Sequence, residues 1–540
     1  MFMQKTWRDV GSLYQIYPRS FQDTNGDGVG DLNGITDRLG YLSWLGIESI
    51  WISPFFTSPM TDFGYDVANY RDVDPSYGTL DDLKRLLESA HDYGIKVMID
   101  LVPCHTSEEH PWFIESRSSR DNPKRNYYVW RDPKADGSAP NNWRSLAAGR
   151  SWTYDETTGQ YYLHSFLPTQ PDLNWDNPEV REEIKNVVRF WYDLGVDGLR
   201  VDAIWGISKD PDLADDPVNP DYHHDLDQYG SYIHNKCKYG PKFDQYLREL
   251  ASVSDEYHDK QIVFEFYPDE QLGNVYDQYE RVLNIHPSSS AFFMEYRQNI
   301  WHADHVKNTV LEYLARTKNT TIPFFGLGNH DQPRIASRLG NERSRALNFL
   351  NLLTPGISLI YYGDEIGMEN GELADEQIQD TFSPSNTKFD SRDLERTPMQ
   401  WDSGEHAGFS NATTWLPVHS NREWCNVLDQ SQNEQSLLYM HRSLLKIRSA
   451  YPVLRNGTLR AVYVGSGYVL AFESRLDDTY AYIVVNFADQ PQEIYLPEPS
   501  RLVLSSRMQT VERDHPNTLG GYEARLYMNS LVHIRRSAAK

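Results

Sequence analysis

Short apolar runs alternate with amphipathic stretches from residue 12 to residue 362. The runs at 12–17, 49–53, 96–101, 198–204, 262–266, 291–294, 324–331 and 357–362 read as strands, most of them apolar on both faces, as in a parallel sheet covered by helices. Between them the apolar positions fall at helical spacing. Leu83, Leu86, Leu87, Ala90 and Tyr93 share one face, and Pro178 opens a helix that turns Val180, Ile184, Val187, Val188, Trp191 and Leu194 inward. Further helices are predicted at 34–45, 242–250, 301–316 and 344–353. Eight strand–helix units imply an α/β fold of the (β/α)8 TIM-barrel type, whose chemistry gathers where the strands' C-termini meet. The rhythm breaks between Cys104 and Trp175, a loop-rich segment dense in Trp, Tyr, Pro and Asn with one strand-like stretch at 160–166. After a helix at 436–447 it gives way to short alternating strands such as 468–473 and 480–485. The expected division is a barrel over 1–103 and 177–457, an inserted loop-rich domain over 104–176, and a C-terminal all-β sandwich over 458–540.

Three of the strands deliver a carboxylate at or beyond their exits: Asp202 after Gly198-Leu-Arg-Val, Glu265 after Ile262-Val-Phe, and Asp331 after Phe324-Phe-Gly-Leu-Gly-Asn-His. A single acid at a strand end is commonly a cap or an ion-pair partner. Three on neighbouring strand ends of one barrel converge on one face and define a reaction centre. Arg200, two residues before Asp202, lies on the same side of its strand and can keep that acid ionised.

The 540 residues suffice for a large barrel with a further domain. Acids outnumber bases, 77 to 52, giving a formal net charge of −25. That balance argues against nucleic acid and anionic membrane surfaces as partners. The first ten residues carry Lys5, Arg8 and Asp9 without an apolar core, so no signal peptide is expected, and no stretch approaches the ~18 apolar residues of a membrane span. Cys104, Cys237 and Cys425 are distant and odd in number, which fits neither a disulfide framework nor a zinc spacing. A cytoplasmic protein with reduced thiols is expected; oligomeric state is left open.

Around these acids stand Asp62-Phe-Gly-Tyr-Asp66, Asp100 to His105, Gln170-Pro-Asp-Leu-Asn174, Phe264-Glu265, Gly328-Asn-His-Asp331 and Arg396-Thr-Pro-Met-Gln-Trp401. In order and spacing the chain resembles an α-glucosidase of glycoside hydrolase family 13, the α-amylase superfamily, of the oligo-1,6-glucosidase subgroup, over nearly its full length. The resemblance implies Asp202 as nucleophile, Glu265 as acid/base and Asp331 as the acid that holds sugar hydroxyls as the ring flattens. It implies that His105 and His330 bind hydroxyls of the non-reducing glucose, that Asp62 and Arg396 close the pocket around it, that Tyr65 is an aromatic platform, and that Phe166 lines the same wall. A pocket closed in this way takes only chain ends of a small oligosaccharide. Glu265 needs a raised pKa, for which Phe264 and Phe266 are local candidates, although strand alternation turns them away.

The loop Asp23-Thr-Asn25-Gly-Asp27-Gly-Val29-Gly-Asp31 places side-chain oxygens at positions 1, 3, 5 and 9, a backbone carbonyl at 7 and glycine at 6, the arrangement of a calcium loop; Gly34 stands where an EF-hand has glutamate. The family keeps Ca2+ there, so a structural Ca2+ is implied, with Mg2+ able to take the same oxygens. His302 with His305, and His223 with His224, lack supporting ligands and read as surface residues. Three positions depart from the family pattern: Cys104 replaces an asparagine, Phe264 a glycine, and Ala203 is the small residue that in relatives accompanies α-1,4 rather than α-1,6 cleavage. The expected function is therefore a retaining exo-α-glucosidase acting on maltose-like or sucrose-like substrates. Two other readings are a sucrose isomerase or trehalose synthase, whose charged RLDRD loop is absent here, and a non-catalytic transporter-associated relative, which would lack the full acid set and carry a membrane anchor.

Overall fold

The computed structural model describes residues 5–147, 149–222, 229–295, 301–317, 321–382, 391–508 and 517–529; His223 and His224 lie outside them. Eight parallel strands, Ser12–Ile16, Ser49–Ile52, Lys96–Leu101, Gly198–Val201, Gln261–Phe264, Ser289–Phe293, Phe324–Gly326 and Ile357–Tyr361, close into the expected barrel in chain order. Two layers of apolar residues account for their near-continuous hydrophobicity. Leu13, Trp51, Met98, Val263, Phe292, Phe324 and Leu359 fill the interior. Ile50, Ile99, Leu199, Val201, Phe264 and Phe293 join the larger core shared with the surrounding helices.

Helix starts follow their capping chemistry. Asp31 caps Leu32–Leu45 by accepting from Gly34 N at 2.7 Å, Thr79 caps Leu80–Asp92, and Asn177 precedes Pro178 at the start of Pro178–Leu194. His302, expected at the surface, caps Ala303–Arg316 by accepting from the His305 N–H, so that helix begins two residues later than its apolar pattern suggests. Tyr93 falls just past the helix that should have buried it and is 53% exposed.

Several strands stop short of the apolar run that announced them. The fourth ends at Val201, because Ala203 turns into the left-handed region at φ 43° and ψ 44° before a 3-10 turn over Ile204–Ile207. The seventh is only Phe324–Gly326, which leaves Asp331 in the loop beyond it. The sixth starts earlier than expected, at Ser289.

The segment after the third strand contains a helix, Pro111–Ser118, and a three-stranded antiparallel sheet of Trp130–Arg131, Gln160–Leu163 and Trp152–Asp155. The C-terminal part pairs a five-stranded antiparallel sheet, from Thr458–Ala461 to Ala524–Met528, with a two-stranded ribbon of Gln492–Glu493 and Thr518–Leu519 over a cluster of Val464, Tyr482, Val484, Ile494 and Leu519. No helix among the described residues is long and apolar enough to cross a membrane.

Candidate active site

Barrel register brings the three acids together. Asp100 pairs with Arg200, and Val201 with both Leu101 and Phe264, so the third, fourth and fifth strands end level with one another. Asp202 and Glu265 each follow one residue beyond a strand end, and the Arg200 side chain, 1% exposed, lies beneath them. Its Nη1 donates to Asp100 Oδ1 at 2.5 Å and to Asp202 Oδ1 at 2.6 Å, while its Nη2 meets Glu265 Oε1 at 2.5 Å. A planar guanidinium can serve separate carboxylates from separate nitrogens, which a lysine ammonium cannot do with the same geometry. The turn at Ala203 adds a further anchor, its N–H donating to Glu265 Oε2 at 3.0 Å. A left-handed alanine is a strained conformation, and here it aims both Asp202 and a backbone donor into the cavity.

One arginine thus faces three buried carboxylates, Asp100, Asp202 and Glu265. Charge balance in a low-dielectric site requires a proton among them. Burial raises all three: Glu265 most, to about 8, with Arg200 opposing and Asp202 and Asp331 adding to the rise; Asp202 only to about 6, again with Arg200 opposing; and Asp100 to about 6. Near neutral pH Glu265 therefore holds the proton while Asp202 is ionised, a division suited to an acid and a nucleophile side by side. Phe264 and Phe266 do not cause it. Phe264 belongs to the outer core, and Phe266 packs on Tyr239 and Tyr279 at 5.9 and 5.3 Å between ring centroids.

Asp331 has the opposite environment. Burial would raise it, but His330, Arg392 and Arg396 hold its carboxyl far below the usual range. Arg396 Nη2 donates to Asp331 Oδ1 at 2.9 Å and Arg396 Nε to the His330 carbonyl at 2.8 Å. Gln15 Nε2 donates to His330 Nδ1 at 2.8 Å, so the imidazole proton sits on Nε2, 3.4 Å from Asp331 Oδ2. The ring is held between Tyr17 and Tyr65, stacked at 5.6 and 5.4 Å.

A cavity of about 320 Å³ opens over these groups, at the small end of the usual ligand-pocket range. Of the residues expected in it, Asp62, Tyr65, His105, Phe166, Asp202, Glu265 and Asp331 form its wall. Arg200 and His330 lie behind that wall. Arg396, expected to close the pocket with Asp62, is 1% exposed and sits under Asp331 instead. The closing cation is Arg392, whose Nη2 reaches Asp62 Oδ1 at 2.8 Å and Asp380 Oδ1 at 2.7 Å and whose Nη1 lies 3.4 Å from Asp331 Oδ1. Three residues separate the two arginines, and nothing in the local sequence says which one faces the cavity. Trp205, Tyr267, Phe382, Leu146, Ala203 and Gln332 complete the wall. Phe166 is the hub of its aromatic side, 5.0 Å from His105, 5.4 Å from Trp205 and 6.0 Å from Phe382. The departure at Cys104 has a local explanation. His105 Nε2 donates to the Tyr65 carbonyl at 2.9 Å, leaving Nδ1 as an acceptor, and the Cys104 thiol, kept protonated by burial, donates to it at 2.9 Å.

The glycine-rich loop runs into the first helix, which Asp31 caps. Asp23 accepts from the N–H groups of Asn25, Gly26 and Gly28 and from the Ser410 hydroxyl; Asn25 Oδ1 accepts from Asp27 N, and Asp27 Oδ1 from Val29 N. Asp31 is shared between Thr24 and the helix cap. The side-chain oxygens of Asp23, Asn25, Asp27 and Asp31 are the donor chemistry that a hard cation takes. The acids are nevertheless engaged by the loop's own N–H groups.

A parallel barrel with an ion-paired acid trio at its C-terminal rim, one member protonated and one ionised, defines a barrel hydrolase of the carboxylate-pair type. Residues 15–457 match the profile of the alpha amylase catalytic domain, and the chain belongs to that family, a glycoside hydrolase. It is 37% identical over 530 residues to the oligo-1,6-glucosidase of Heyndrickxia coagulans, covering 91% of this chain and 94% of that protein. The crystal structure of the alpha-glucosyl transfer enzyme XgtA superposes with a TM-score of 0.90 at 36% identity over 97% of this chain and 100% of the other. That of the trehalulose synthase MutB from Pseudomonas mesoacidophila MX-45 gives 0.85 at 33% over 97% and 99%.

Proposed function

We propose that the protein is a retaining exo-α-glucosidase that releases glucose from the non-reducing end of short α-glucosides. The observation that carries this reading is the single Arg200 guanidinium bridging Asp202 and Glu265. An inverting enzyme separates its carboxyls by ~6.5–9.5 Å to admit a water between the base carboxylate and the sugar, whereas a retaining pair stands ~5–5.5 Å apart. Two acids sharing one guanidinium favour the closer spacing. In the first step Asp202 attacks the anomeric carbon while the Glu265 proton passes to the departing glycosidic oxygen, leaving a glucosyl ester and an ionised Glu265. In the second, Glu265 takes a proton from water as its oxygen attacks that carbon, freeing Asp202 and regenerating the acid. Asp331, backed by the His330 Nε2–H, strengthens its hold on ring hydroxyls as positive charge develops.

The Arg392–Asp62 ion pair in the cavity wall supports removal of one terminal glucose at a time. Ala203 on the wall supports α-1,4-linked or sucrose-like substrates over α-1,6. Transfer of the glucosyl group to a second sugar is the competing fate of the same ester, favoured by the aromatic wall of Phe166, Trp205 and Phe382 and by the likeness to XgtA and MutB. The loop of Asp23, Asn25, Asp27, Val29 and Asp31 would hold a structural Ca2+, with Mg2+ a competitor. Three buried, unpaired cysteines are compatible with a reducing, cytoplasmic setting.

The test is the product time course from maltose, isomaltose, sucrose and trehalose, resolved for anomeric configuration and transfer products, with Asp202→Asn as blank. Initial release of α-glucose, with maltose or sucrose preferred, is expected. Initial β-glucose would overturn retention, and preference for isomaltose would overturn the reading of Ala203. Adding Ca2+ to the metal-stripped protein should raise the melting temperature of the wild type and leave that of Asp27→Ala unchanged; equal responses would show that the loop holds no ion.

A further inference from the structure

Away from the active site, Asp216, His234 and Cys237 bring a carboxylate oxygen, an imidazole nitrogen and a sulfur within 4.8 Å of one another, and all three residues are buried. Their spacing in the chain gave no hint of it, because Asp216 arrives from the other side of a long loop. The imidazole is oriented from behind: His234 Nε2 donates to the Tyr229 carbonyl at 2.9 Å, and the ring stacks on Tyr229 at 3.8 Å. Its Nδ1 faces Asp216 Oδ2 at 3.3 Å and Cys237 Sγ at 3.5 Å. With the ring neutral, Nδ1 carries a lone pair, and three electron-rich atoms converge with one thiol proton to share among them. Asp216 is fixed as firmly, its Oδ1 accepting from Lys236 N at 2.8 Å and its backbone N–H donating to Asn142 Oδ1 at 2.8 Å.

The geometry points to a site for a borderline divalent cation of the Zn2+ type, which we propose is held by Asp216 Oδ2, His234 Nδ1 and Cys237 Sγ. Tetrahedral Zn2+ with Zn–N and Zn–O bonds near 2.0 Å and Zn–S near 2.3 Å sets ligand-to-ligand edges of about 3.3 Å for N···O and about 3.5 Å for N···S, as found here. A mixed thiolate, imidazole and carboxylate set excludes Ca2+ and Mg2+, which prefer oxygen alone. The His234 Nε2–H bond to a backbone carbonyl is the outer support that metal-binding histidines characteristically have. Binding replaces the thiol proton, which is released as the sulfur takes the metal; water completes the fourth position.

The site would staple a loop that serves the cavity. Asp216 and Asn142 exchange two hydrogen bonds, Trp143 Nε1 donates to the Ala214 carbonyl, and Lys238, next to Cys237, lies 5.0 Å above the Trp205 ring. Metal would thus set the outer, leaving-group side of the pocket without touching Asp202 or Glu265.

The full-length protein, reduced and stripped of metal, is titrated with ZnCl2 and with CoCl2. About one Zn2+ retained per chain after desalting, a thiolate-to-cobalt charge-transfer band, and a raised melting temperature are expected. Cys237→Ser should abolish the band, and Cys237→Ser and His234→Ala should each weaken Zn2+ retention at least tenfold. Metal should change KM for disaccharides more than kcat. No retention by the wild type, or a cobalt spectrum without the charge-transfer band, would overturn the site, as would retention unchanged in both variants. Because Asp27 lies in another loop, retention unaffected by Asp27→Ala separates this site from the oxygen-only one; loss of retention in Asp27→Ala would move the ion there and sink the proposal.

Discussion

The division of labour between Asp202 and Glu265 makes a quantitative prediction for pH. Turnover needs Asp202 ionised and Glu265 protonated, with pKa values of about 6 and about 8. The active fraction is then ~0.8 at pH 7 and falls to ~0.1 at both pH 5 and pH 9, a symmetric bell in kcat/KM. Replacing the acid by Glu265→Gln removes a proton donor worth ~10²–10⁴-fold with a sugar leaving group. It should cost much less with a 4-nitrophenyl glucoside, whose leaving oxygen needs no proton. With that substrate the basic limb should vanish, because the group that titrates there is gone. The acidic limb should stay near pH 6, because wild-type Glu265 is already protonated at that pH and its charge is not what raises Asp202 there. The assay is kcat/KM from pH 4.5 to pH 9.5 for both proteins, with melting temperature as a check on folding. A basic limb that persists in Glu265→Gln would show that another group controls it and would refute the assignment. An acidic limb that moved by a full unit would refute the charge balance around Arg200.

Two substitutions probe the rest of the pocket. Arg392→Ala leaves Asp62 and Asp380 buried without their shared cation, so it should destabilise the fold by ~3–5 kcal/mol and raise KM for maltose at least tenfold, measured by denaturant melts and initial rates. Arg396→Ala should instead raise the pH at which the Asp331 carboxylate is lost and depress kcat more than KM, because it supports Asp331 from beneath. Equal kinetic profiles for the two would mean that the cavity wall is wrongly assigned. Ala203→Val places a β-branched residue at φ 43°, costing ~1–3 kcal/mol of stability, and should shift the isomaltose-to-maltose rate ratio upward. An unchanged ratio would detach Ala203 from linkage choice.

The periodicity of the chain and a few residues at strand exits determined the barrel, its inserted and C-terminal elements, and the acids Asp202, Glu265 and Asp331. Such signals are local: a strand buried on both faces is apolar throughout, a capped helix shows its cap, and an acid one residue past a strand must lie at the barrel's rim. What only the tertiary structure decided are choices between chemically equivalent residues and contacts across loops. Arg392 rather than Arg396 faces the cavity because Asp62 and Asp380 arrive from other segments to meet it. Trp205 and Phe382 become wall residues because Phe166, from the inserted segment, packs against both. The proton rests on Glu265 rather than Asp202 because burial, with the Asp202 and Asp331 carboxylates brought in from other strands, raises Glu265 furthest against the pull of Arg200. Asp216, separated from His234 by a loop, becomes its partner for the same reason: charge, burial and distance belong to the folded neighbourhood, and a linear pattern carries only the periodicities from which that neighbourhood is assembled.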